Sequence, residues 1–265
     1  MRKGGQFEFG LFLAAIVLLG VGFGFSQGER PGYELTPKSA EFLRVVTWNV
    51  GASLDQGGDS MDEEGLVHVA RVLNELKPDF VFLQEVRDRR QAEELAERLD
   101  DDWDIEASPG ERIVVGLTRT GRLRKRGRRA ERLLRVQHDE SRIFFCAVHA
   151  DAFSSRERNE LLGSLVEGLE DPCILLGDLN LDLDLGKRRD LFTDDEYLDV
   201  ETYNFIARRL VDAGQGTGST AEPDRRLDYV FVSPETFEVR SAGPWRSKRG
   251  PRMDHDPVVC DLTLR

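Results

Sequence analysis

The chain has 265 residues, of which 40% are apolar and 32% are charged, the composition of a soluble globular protein with one large α/β domain or two small ones. Its net charge of −12 excludes a general attraction to polyanions, so that nucleic-acid binding would need a local basic patch. Three cysteines, Cys146, Cys173 and Cys260, cannot form a complete disulfide set, and their apolar surroundings favour buried thiols over a single disulfide.

The first predicted element is the uncharged run from Phe9 to Phe25, which follows Arg2 and Lys3. It is longer than a usual signal-peptide core and short for a membrane span. We expect residues 1–25 to be a retained anchor, with a cleaved signal peptide as the alternative and an exported remainder in either case. Residues 26–40 are rich in glycine and proline, which predicts a linker.

Between residues 41 and 265, apolar runs of strand length alternate with helical patterns. Strands are predicted over 42–50, 79–84, 113–118, 133–137, 143–148, 173–176, 227–232 and 258–264. One-sided apolar patterns predict helices within 66–76, 92–99 and 161–169. Connections of hairpin length and of crossover length both occur, so we expect a mixed sheet or two packed sheets with helices outside.

Polar residues adjoin these apolar runs, and their types suit the hydrolysis of a phosphate ester. They are Asn49, Glu85, the weaker candidate Glu111, His149, Asp178 with Asn180, Asp228, and Asp254 with His255. Strand ends are where ligands bind in open α/β sheets. Hydrolysis of a phosphodiester needs a cation, a base that activates water, and stabilisation of the leaving oxygen.

Oxygen-bearing side chains at these ends suit Mg²⁺ or Mn²⁺, which take one or two protein carboxylates and keep several waters. Glu85 and Asn49 end neighbouring predicted strands; the plainer alternatives are a first solvated residue and a turn former. Asp178 and Asn180 fall on one face by strand alternation. Gly177 leaves room beside them for a phosphate or for another backbone.

The chain has four histidines, and two of them follow or precede predicted strands. His149 ends one strand, and His255 comes before the last strand. Imidazole titrates near neutrality and serves in proton transfer or phosphate binding. Asp228 is the best candidate to orient His255. His68 and His138 are expected to be ordinary surface residues.

Taken together, these motifs resemble the endonuclease/exonuclease/phosphatase superfamily, which includes deoxyribonuclease-like, abasic-site-endonuclease-like and inositol-phosphatase-like enzymes. The resemblance covers about residues 41–265. It rests on the segments Thr47-Trp48-Asn49, Leu83-Gln84-Glu85-Val86, Val148-His149, Leu176-Gly177-Asp178-Leu179-Asn180, Leu227-Asp228-Tyr229-Val230-Phe231 and Asp254-His255-Asp256-Pro257. It implies a four-layer α/β sandwich, in which two mixed β-sheets lie face to face with helices outside.

The resemblance also implies roles at the metal and at the phosphate. Glu85 would be the main ligand of Mg²⁺ or Mn²⁺, helped by Asn49 and Asp254. Asp178 would activate or position the attacking water. Asn180 and Asn49 would hold the phosphate.

For the histidines, the resemblance implies that His255, oriented by Asp228, acts as a base or as a phosphate-stabilising group. His149 would serve the opposite side of the scissile bond, and Glu111 is a weak candidate for its partner. Met253 stands where the family usually has serine, and we expect this departure to weaken a local hydrogen bond without abolishing activity.

The stretch from Arg119 to Arg135 contains nine Lys or Arg and one acidic residue, and we expect it to form a hairpin loop between two strands. It could contact nucleic-acid phosphates or anionic lipid headgroups, or be a solvated charged turn. A second basic segment contains Arg246, Lys248, Arg249 and Arg252.

The leading hypothesis is an exported Mg²⁺-dependent phosphodiester hydrolase, a nuclease of the endonuclease-like kind acting on DNA or RNA. A phosphatase or phosphodiesterase acting on lipid headgroups or small phosphoesters is the alternative. A non-catalytic binding module is disfavoured because every metal and proton-transfer position is present. The N-terminal segment predicts membrane anchoring with an extracytoplasmic catalytic domain, or secretion if it is cleaved, and a monomer is assumed.

Overall fold

The computed structural model describes residues 32–53, 56–184 and 197–265. The apolar run predicted to be an anchor or signal therefore lies outside the described residues. Within these three ranges, no helix combines the length and the apolar character needed to cross a bilayer.

The described residues contain twelve strands, which form two six-stranded mixed sheets. In chain order they are β1 (Leu43–Asn49), β2 (Phe80–Val86), β3 (Asp104–Ala107), β4 (Ile113–Thr118), β5 (Leu123–Lys125), β6 (Leu133–His138), β7 (Phe144–His149), β8 (Cys173–Asp178), β9 (Val211–Asp212), β10 (Asp228–Val232), β11 (Phe237–Pro244) and β12 (Val258–Leu264). The first sheet has the order β11-β12-β1-β2-β4-β3, and the second has the order β5-β6-β7-β8-β10-β9.

In the part of the chain that the structure describes, four helices cover the outer faces of the sheets: α1 (Glu63–Leu76), α2 (Arg89–Ala96), α3 (Ser155–Glu167) and α4 (Asp199–Ala207). Phe80 and Phe82 of the first sheet pack against Phe145 of the second in a core between the sheets. A second core lies under α1 and α2, and a third under α3 and α4. The four-layer sandwich expected from the sequence is confirmed.

Helix α1 shows how local sequence fixes an element. The Asp62 carboxylate caps its start by accepting from the backbone N–H of Gly65 at 2.9 Å. The helix ends at Lys77, which adopts a left-handed conformation with φ of 52°, directly before Pro78. The apolar positions of its turns fall on one face, and Leu66, Val69 and Leu73 are buried there.

The predicted strands and helices correspond to β1, β2, β4, β6, β7, β8, β10 and β12 and to α1, α2 and α3, with shifts of a few residues at their ends. Strands β3, β5, β9 and β11 and helix α4 were not expected. These strands are short or lie at or near a sheet edge, and their half-exposed residues give no strong apolar run.

The expectation of a hairpin loop from Arg119 to Arg135 holds for residues 126–132, which join the antiparallel strands β5 and β6, but not for the whole stretch. This stretch passes from β4 in the first sheet to β5 in the second, and it also contains the first residues of β6. Leu123 is buried in the core between the sheets. One apolar residue among arginines is too weak a pattern to predict a strand, so this crossover depended on tertiary packing.

The linker predicted over residues 26–40 is described from residue 32 onward, where it packs on the first sheet. Tyr33 is only 4% exposed, and its hydroxyl donates to the Asp261 carboxylate at 2.9 Å. The buried Arg44 guanidinium contacts the same carboxylate at 2.8 Å and the carbonyl of Thr36 at 2.9 Å. This buried network ties the segment to β1 and β12.

Candidate active site at one edge of the two sheets

Strand direction brings the candidate site residues to one edge of the sandwich. β1 and β2 are parallel, as are β7 and β8, so the carboxyl ends of each pair lie side by side. β10 and β12 run antiparallel to their neighbours, so the starts of these two strands reach the same edge. The site is therefore built from strand ends of both sheets, at Asn49, Glu85, His149, Asp178, Asp228 and His255.

Glu85 lies at an irregularity in β2. The register of β2 with β4 shifts between Leu83 and Val86, and Glu85 has a left-handed φ of 60°. A non-glycine residue in this conformation costs free energy, and such outliers cluster at functional sites. Gly51 leaves room for this side chain, because a Cβ at this position would displace the Glu85 carboxylate.

Asn49 joins the two carboxylates of the site. Its Nδ2 donates to Glu85 Oε1 at 3.2 Å and to Asp178 Oδ2 at 3.0 Å. Its Oδ1 accepts from the backbone N–H of Gly51 at 3.0 Å, which fixes the orientation of the amide. The structure thus brings together Asn49, Glu85 and Asp178, which lie far apart in the sequence.

The Gly177-Asp178-Leu179-Asn180 turn is held by local bonds. Gly177 has φ of 134°, and a Cβ there would collide with the Val148 carbonyl, so the glycine admits a neighbouring backbone rather than a phosphate. Asn180, with φ of 50°, donates its backbone N–H to Asp178 Oδ1 at 3.1 Å. Its Nδ2 donates to the Ala150 carbonyl at 3.0 Å, which leaves one amide hydrogen for another acceptor.

His255 forms a buried pair with Asp228. Its Nδ1 lies 2.8 Å from Asp228 Oδ2, and Thr220 Oγ1 donates to the same oxygen at 2.7 Å. Burial by itself would lower the pKa of His255, but the charges of Asp228 and Asp178 raise it to about 10. The imidazole is therefore held in its protonated form, with Nε2 at 3.8 Å from Asp178 Oδ2.

His149 and His255 both approach the Asp178 carboxylate, but their pKa values are shifted in opposite directions. The Nε2 of His149 is 3.6 Å from Glu85 Oε1 and 3.7 Å from Asp178 Oδ2. Burial lowers its pKa despite these two carboxylates. The suggested pairing with Glu111 is absent: Glu111 is exposed in an open groove, and His149 Nδ1 has no hydrogen-bond partner among the described residues.

Asp254 is half-buried beside this group. Burial raises the pKa of its carboxyl, and the charges of Glu85 and Asp178 raise it further, while His255 opposes the shift. Met253 next to it is buried, with its side chain against Gly65 and Gly250. It fills an apolar position under α1, so packing accounts for the residue found in place of serine.

Two residues of the site were not assigned a role from the sequence. Arg112 reaches Glu85, with a guanidinium nitrogen 3.4 Å from Oε2. Thr220 contacts Asp228 and also accepts from the backbone N–H of Leu227. Neither residue ends an apolar strand, so the pattern that reveals the other site residues passes over both.

The donor set fits a hard divalent cation. Glu85, Asp178 and Asp254 bring carboxylates together, while Asn49 turns Nδ2 toward Glu85 and Asp178 and has one lone pair left on Oδ1, which accepts from Gly51. Mg²⁺ and Mn²⁺ prefer such oxygen ligands. Ligand atoms of Asp178, Asp228 and His255 also lie within 4.8 Å of one another. That group already shares the hydrogen bond between His255 and Asp228, so the Glu85 side offers more oxygen.

The remaining histidines differ from expectation in one case. His138 is not a surface residue: it is 2% exposed, and its ring nitrogens bond Ser141 Oγ at 2.8 Å and the Thr120 carbonyl at 2.7 Å. It packs edge-on against Phe80, a structural role that the adjacent charges concealed. His68 is partly buried and contacts the Lys248 carbonyl at 2.8 Å. The three cysteines are buried free thiols.

The second basic segment is largely neutralised. Arg249 pairs with Asp256 at 3.0 Å and also contacts Glu222. Ion pairs also join Lys248 to Glu75 at 2.7 Å and Arg252 to Asp62 at 2.9 Å. These contacts hold the segment between β11 and β12 on the domain.

Comparison with known proteins gives a consistent result. The sequence profile of the Endonuclease/Exonuclease/phosphatase family matches residues 46–250, a range that ends just before Asp254 and His255. No curated protein sequence matches the chain.

Among the solved structures that share the fold are the following three. An endonuclease/exonuclease/phosphatase from Beutenbergia cavernae has 24% identity and a TM-score of 0.60, over 84% of this chain and 72% of that chain. An AP endonuclease from Archaeoglobus fulgidus has 17% identity and a TM-score of 0.62, over 82% and 98%. A mannosyl-6-phosphatase from Bacteroides thetaiotaomicron has 18% identity and a TM-score of 0.58, over 83% and 99%.

Proposed function

Since the chain belongs to the endonuclease/exonuclease/phosphatase family, whose members hydrolyse phosphoesters, we propose that it is a Mg²⁺- or Mn²⁺-dependent phosphodiesterase that cleaves DNA or RNA. One observation carries the proposal: Asn49 bridges the carboxylates of Glu85 and Asp178, and the same Asp178 oxygen lies 3.8 Å from Nε2 of His255, which pairs with Asp228. The site thus combines a cation-binding side with a proton-transfer side, as hydrolysis of a phosphate ester requires.

Glu85, with Asn49 and Asp254, would hold the metal, which would neutralise the phosphate oxygens and polarise the ester. Asp178 would activate or position the attacking water, with its Oδ2 at 3.7 Å from His149 Nε2 and 3.8 Å from His255 Nε2. Asn180 would donate its free amide hydrogen to a phosphate oxygen.

The two histidines would divide the remaining work. His255, held protonated by the buried Asp228 carboxylate, would stabilise the negative charge that develops on phosphate. His149, whose pKa is lowered by burial, would serve the opposite side of the scissile bond. Two environments of opposite effect thus give two imidazoles different protonation states at one site.

Two features support a diester substrate. The AP endonuclease that shares the fold is named for action on nucleic acid, and arginines whose side chains have no partner among the described residues lie beside the site. We further propose that the apolar run of residues 9–25 exports the protein and anchors it to the membrane, on the strength of its length and of the preceding Arg2 and Lys3.

The test is nicking of supercoiled plasmid by the purified full-length chain in Mg²⁺. We expect relaxed circles in Mg²⁺, none with chelator, and none with Glu85→Ala. Glu64→Ala, which removes an exposed glutamate of α1, is the matched control and should nick normally.

An intact plasmid with a folded, metal-binding protein would contradict the nuclease proposal. Release of phosphate from a sugar phosphate in the same preparation would then identify a phosphomonoesterase on the same fold.

A further inference from the structure

The nine basic residues between Arg119 and Arg135 fall into two groups. The side chains of five are paired. Four contact other side chains: Arg119 with Asp79 and Asp101, Arg124 with Asp139, Lys125 with Glu106, and Arg126 with Gln137. The fifth, Arg135, donates to the backbone carbonyl of Arg128. The side chains of Arg122, Arg128, Arg129 and Arg132 are exposed, and in the described part of the chain none of them has an ion pair or a hydrogen bond.

Three of the four unpaired arginines lie at the site edge. β6 starts at Leu133, which pairs with Val148, the residue before His149. Arg128, Arg129 and Arg132 precede β6 and therefore occupy the same edge. The backbone N–H of His149 donates to the Arg132 carbonyl at 2.9 Å, and the charge of Arg132 helps to lower the pKa of that histidine.

Arg122 lies at the opposite edge of the sandwich. It precedes β5, and its backbone N–H donates to the Asp139 carboxylate at 2.8 Å, at the far end of β6. Six residues of β6 separate the two ends, which is about 17 Å of extended chain. Arg122 is therefore a natural control, as exposed and unpaired as the other three but remote from the chemistry.

The loop of residues 126–132 is continuous with the metal side of the site. An added Cβ at Gly110 would lie 3.0 Å from Glu131 Cγ, so the loop before β4 touches the loop before β6. Arg112 follows Gly110 and reaches Glu85. The segment that carries Arg112 thus connects the Glu85 carboxylate to the loop that carries Arg128, Arg129 and Arg132.

We propose that Arg128, Arg129 and Arg132 bind the phosphates of a nucleic-acid strand that flank the scissile phosphate. The inference rests on the proposed function and specifies its substrate as a polymer. A single small phosphoester needs one cationic contact, whereas a row of unpaired arginines leading away from the metal side matches repeating phosphates.

Charge and exposure favour a strand over a membrane. The chain carries a net charge of −12, so a broad anionic surface would meet many acidic residues besides this rim, whereas a single strand can follow the rim alone. The loop of residues 126–132 has no exposed large apolar side chain, although membrane-surface segments combine basic residues with such side chains.

The experiment measures anisotropy of a labelled 20-nucleotide single-stranded DNA in Mg²⁺ at several salt concentrations. The full-length chain carries Asp178→Asn to prevent cleavage. Against this background, Arg128→Gln with Arg129→Gln should raise the Kd about 25-fold at 0.1 M salt, because two phosphate contacts are lost. The slope of log Kd against log salt should fall by about 1.4. Arg122→Gln should leave both quantities within about twofold of the parent.

Equal binding by the double variant and by Arg122→Gln would overturn the proposal. If the double variant lost binding to phosphatidylglycerol vesicles but kept DNA binding, the proposal would be overturned in favour of a membrane contact. Hydrolysis of bis(p-nitrophenyl) phosphate by the unmodified chain separates the two levels of inference. If that activity is present and the arginine substitutions do not affect DNA binding, only the proposal for these arginines is wrong. If the activity is absent, the proposed function is wrong.

Discussion

A guanidinium nitrogen of Arg112 lies 3.4 Å from Oε2 of Glu85, and both residues have left-handed backbone conformations, with φ of 51° and 60°. Two such residues facing each other across strands β2 and β4 place a cation on the carboxylate that we propose as the main metal ligand. At the proposed site, Arg112 would therefore compete with the metal for Glu85.

Removal of that competitor should tighten metal binding. Because the ion pair is partly exposed, it contributes less than about 1 kcal/mol, so Arg112→Gln should lower the Kd for Mn²⁺ by about two- to fivefold in a calorimetric titration. Arg87→Gln removes an exposed arginine that pairs with Asp88 and should leave the Kd unchanged. Weaker Mn²⁺ binding by Arg112→Gln would show that the guanidinium supports the metal site instead.

The Asp228–His255 hydrogen bond should matter for turnover. Asp228→Asn keeps the shape but removes the charge that holds the proton on His255, so kcat for a diester should fall about 100-fold or more. Thr220→Val removes a donor to Asp228 and an acceptor for the backbone N–H groups of Leu227 and Asp228 but no charge, so kcat should fall much less. Thermal unfolding of both variants is the control, and a kcat of Asp228→Asn close to that of the parent would exclude the proposed role of the pair.

Gly51 should be intolerant of even one methyl group. A Cβ at this position would displace the Glu85 carboxylate, so Gly51→Ala should abolish metal-dependent activity. Gly163→Ala is the matched control, because an added Cβ in α3 meets nothing within 4 Å and alanine stabilises a helix by about 0.5–1 kcal/mol relative to glycine. Retained activity in Gly51→Ala would mean that Glu85 can act from another position.

Disruption of the buried Arg44–Asp261 pair should cost much of the free energy of unfolding. Asp261→Ala leaves a buried guanidinium without its partner and releases the Tyr33 hydroxyl, so the free energy of unfolding should fall by about 3–5 kcal/mol. Urea denaturation measures this loss. The exposed pair of Arg90 with Glu94 supplies the comparison, since Glu94→Ala should cost less than about 1 kcal/mol.

The cap of α1 predicts a pH dependence of stability. Hydrogen bonding from Gly65, together with Arg252, lowers the pKa of Asp62. The folded pKa lies below the unfolded value, so this stabilisation is complete above pH 4 to 5 and is lost as pH falls through the folded pKa. Asp62→Ala should therefore cost about 1 kcal/mol at pH 7, and the difference from the parent should shrink near pH 3. A difference independent of pH would exclude an ionised cap.

From the sequence, the apolar runs indicated one mixed sheet or two packed sheets with helices outside, and the family resemblance implied the four-layer fold and most of the residues gathered at the site edge. Buried strands give apolar runs, and polar residues directly after Trp48, Val148 or Gly177 mark strand ends. Because parallel neighbours end at one edge of a sheet, such residues are brought together whatever the loops do. The order of these motifs along the chain therefore carried the family resemblance.

Tertiary structure alone decided the features that depend on local backbone or on partners distant in sequence. Arg112 reaches Glu85 only because β2 bulges and both residues adopt positive φ, and neither feature has a sequence pattern. Charge composition could not separate paired from unpaired arginines in residues 119–135, since pairing depends on acids such as Asp79 and Glu106 from other elements. The packing of Tyr33 on the first sheet likewise depends on a partner distant in sequence, because its hydroxyl donates to the Asp261 carboxylate.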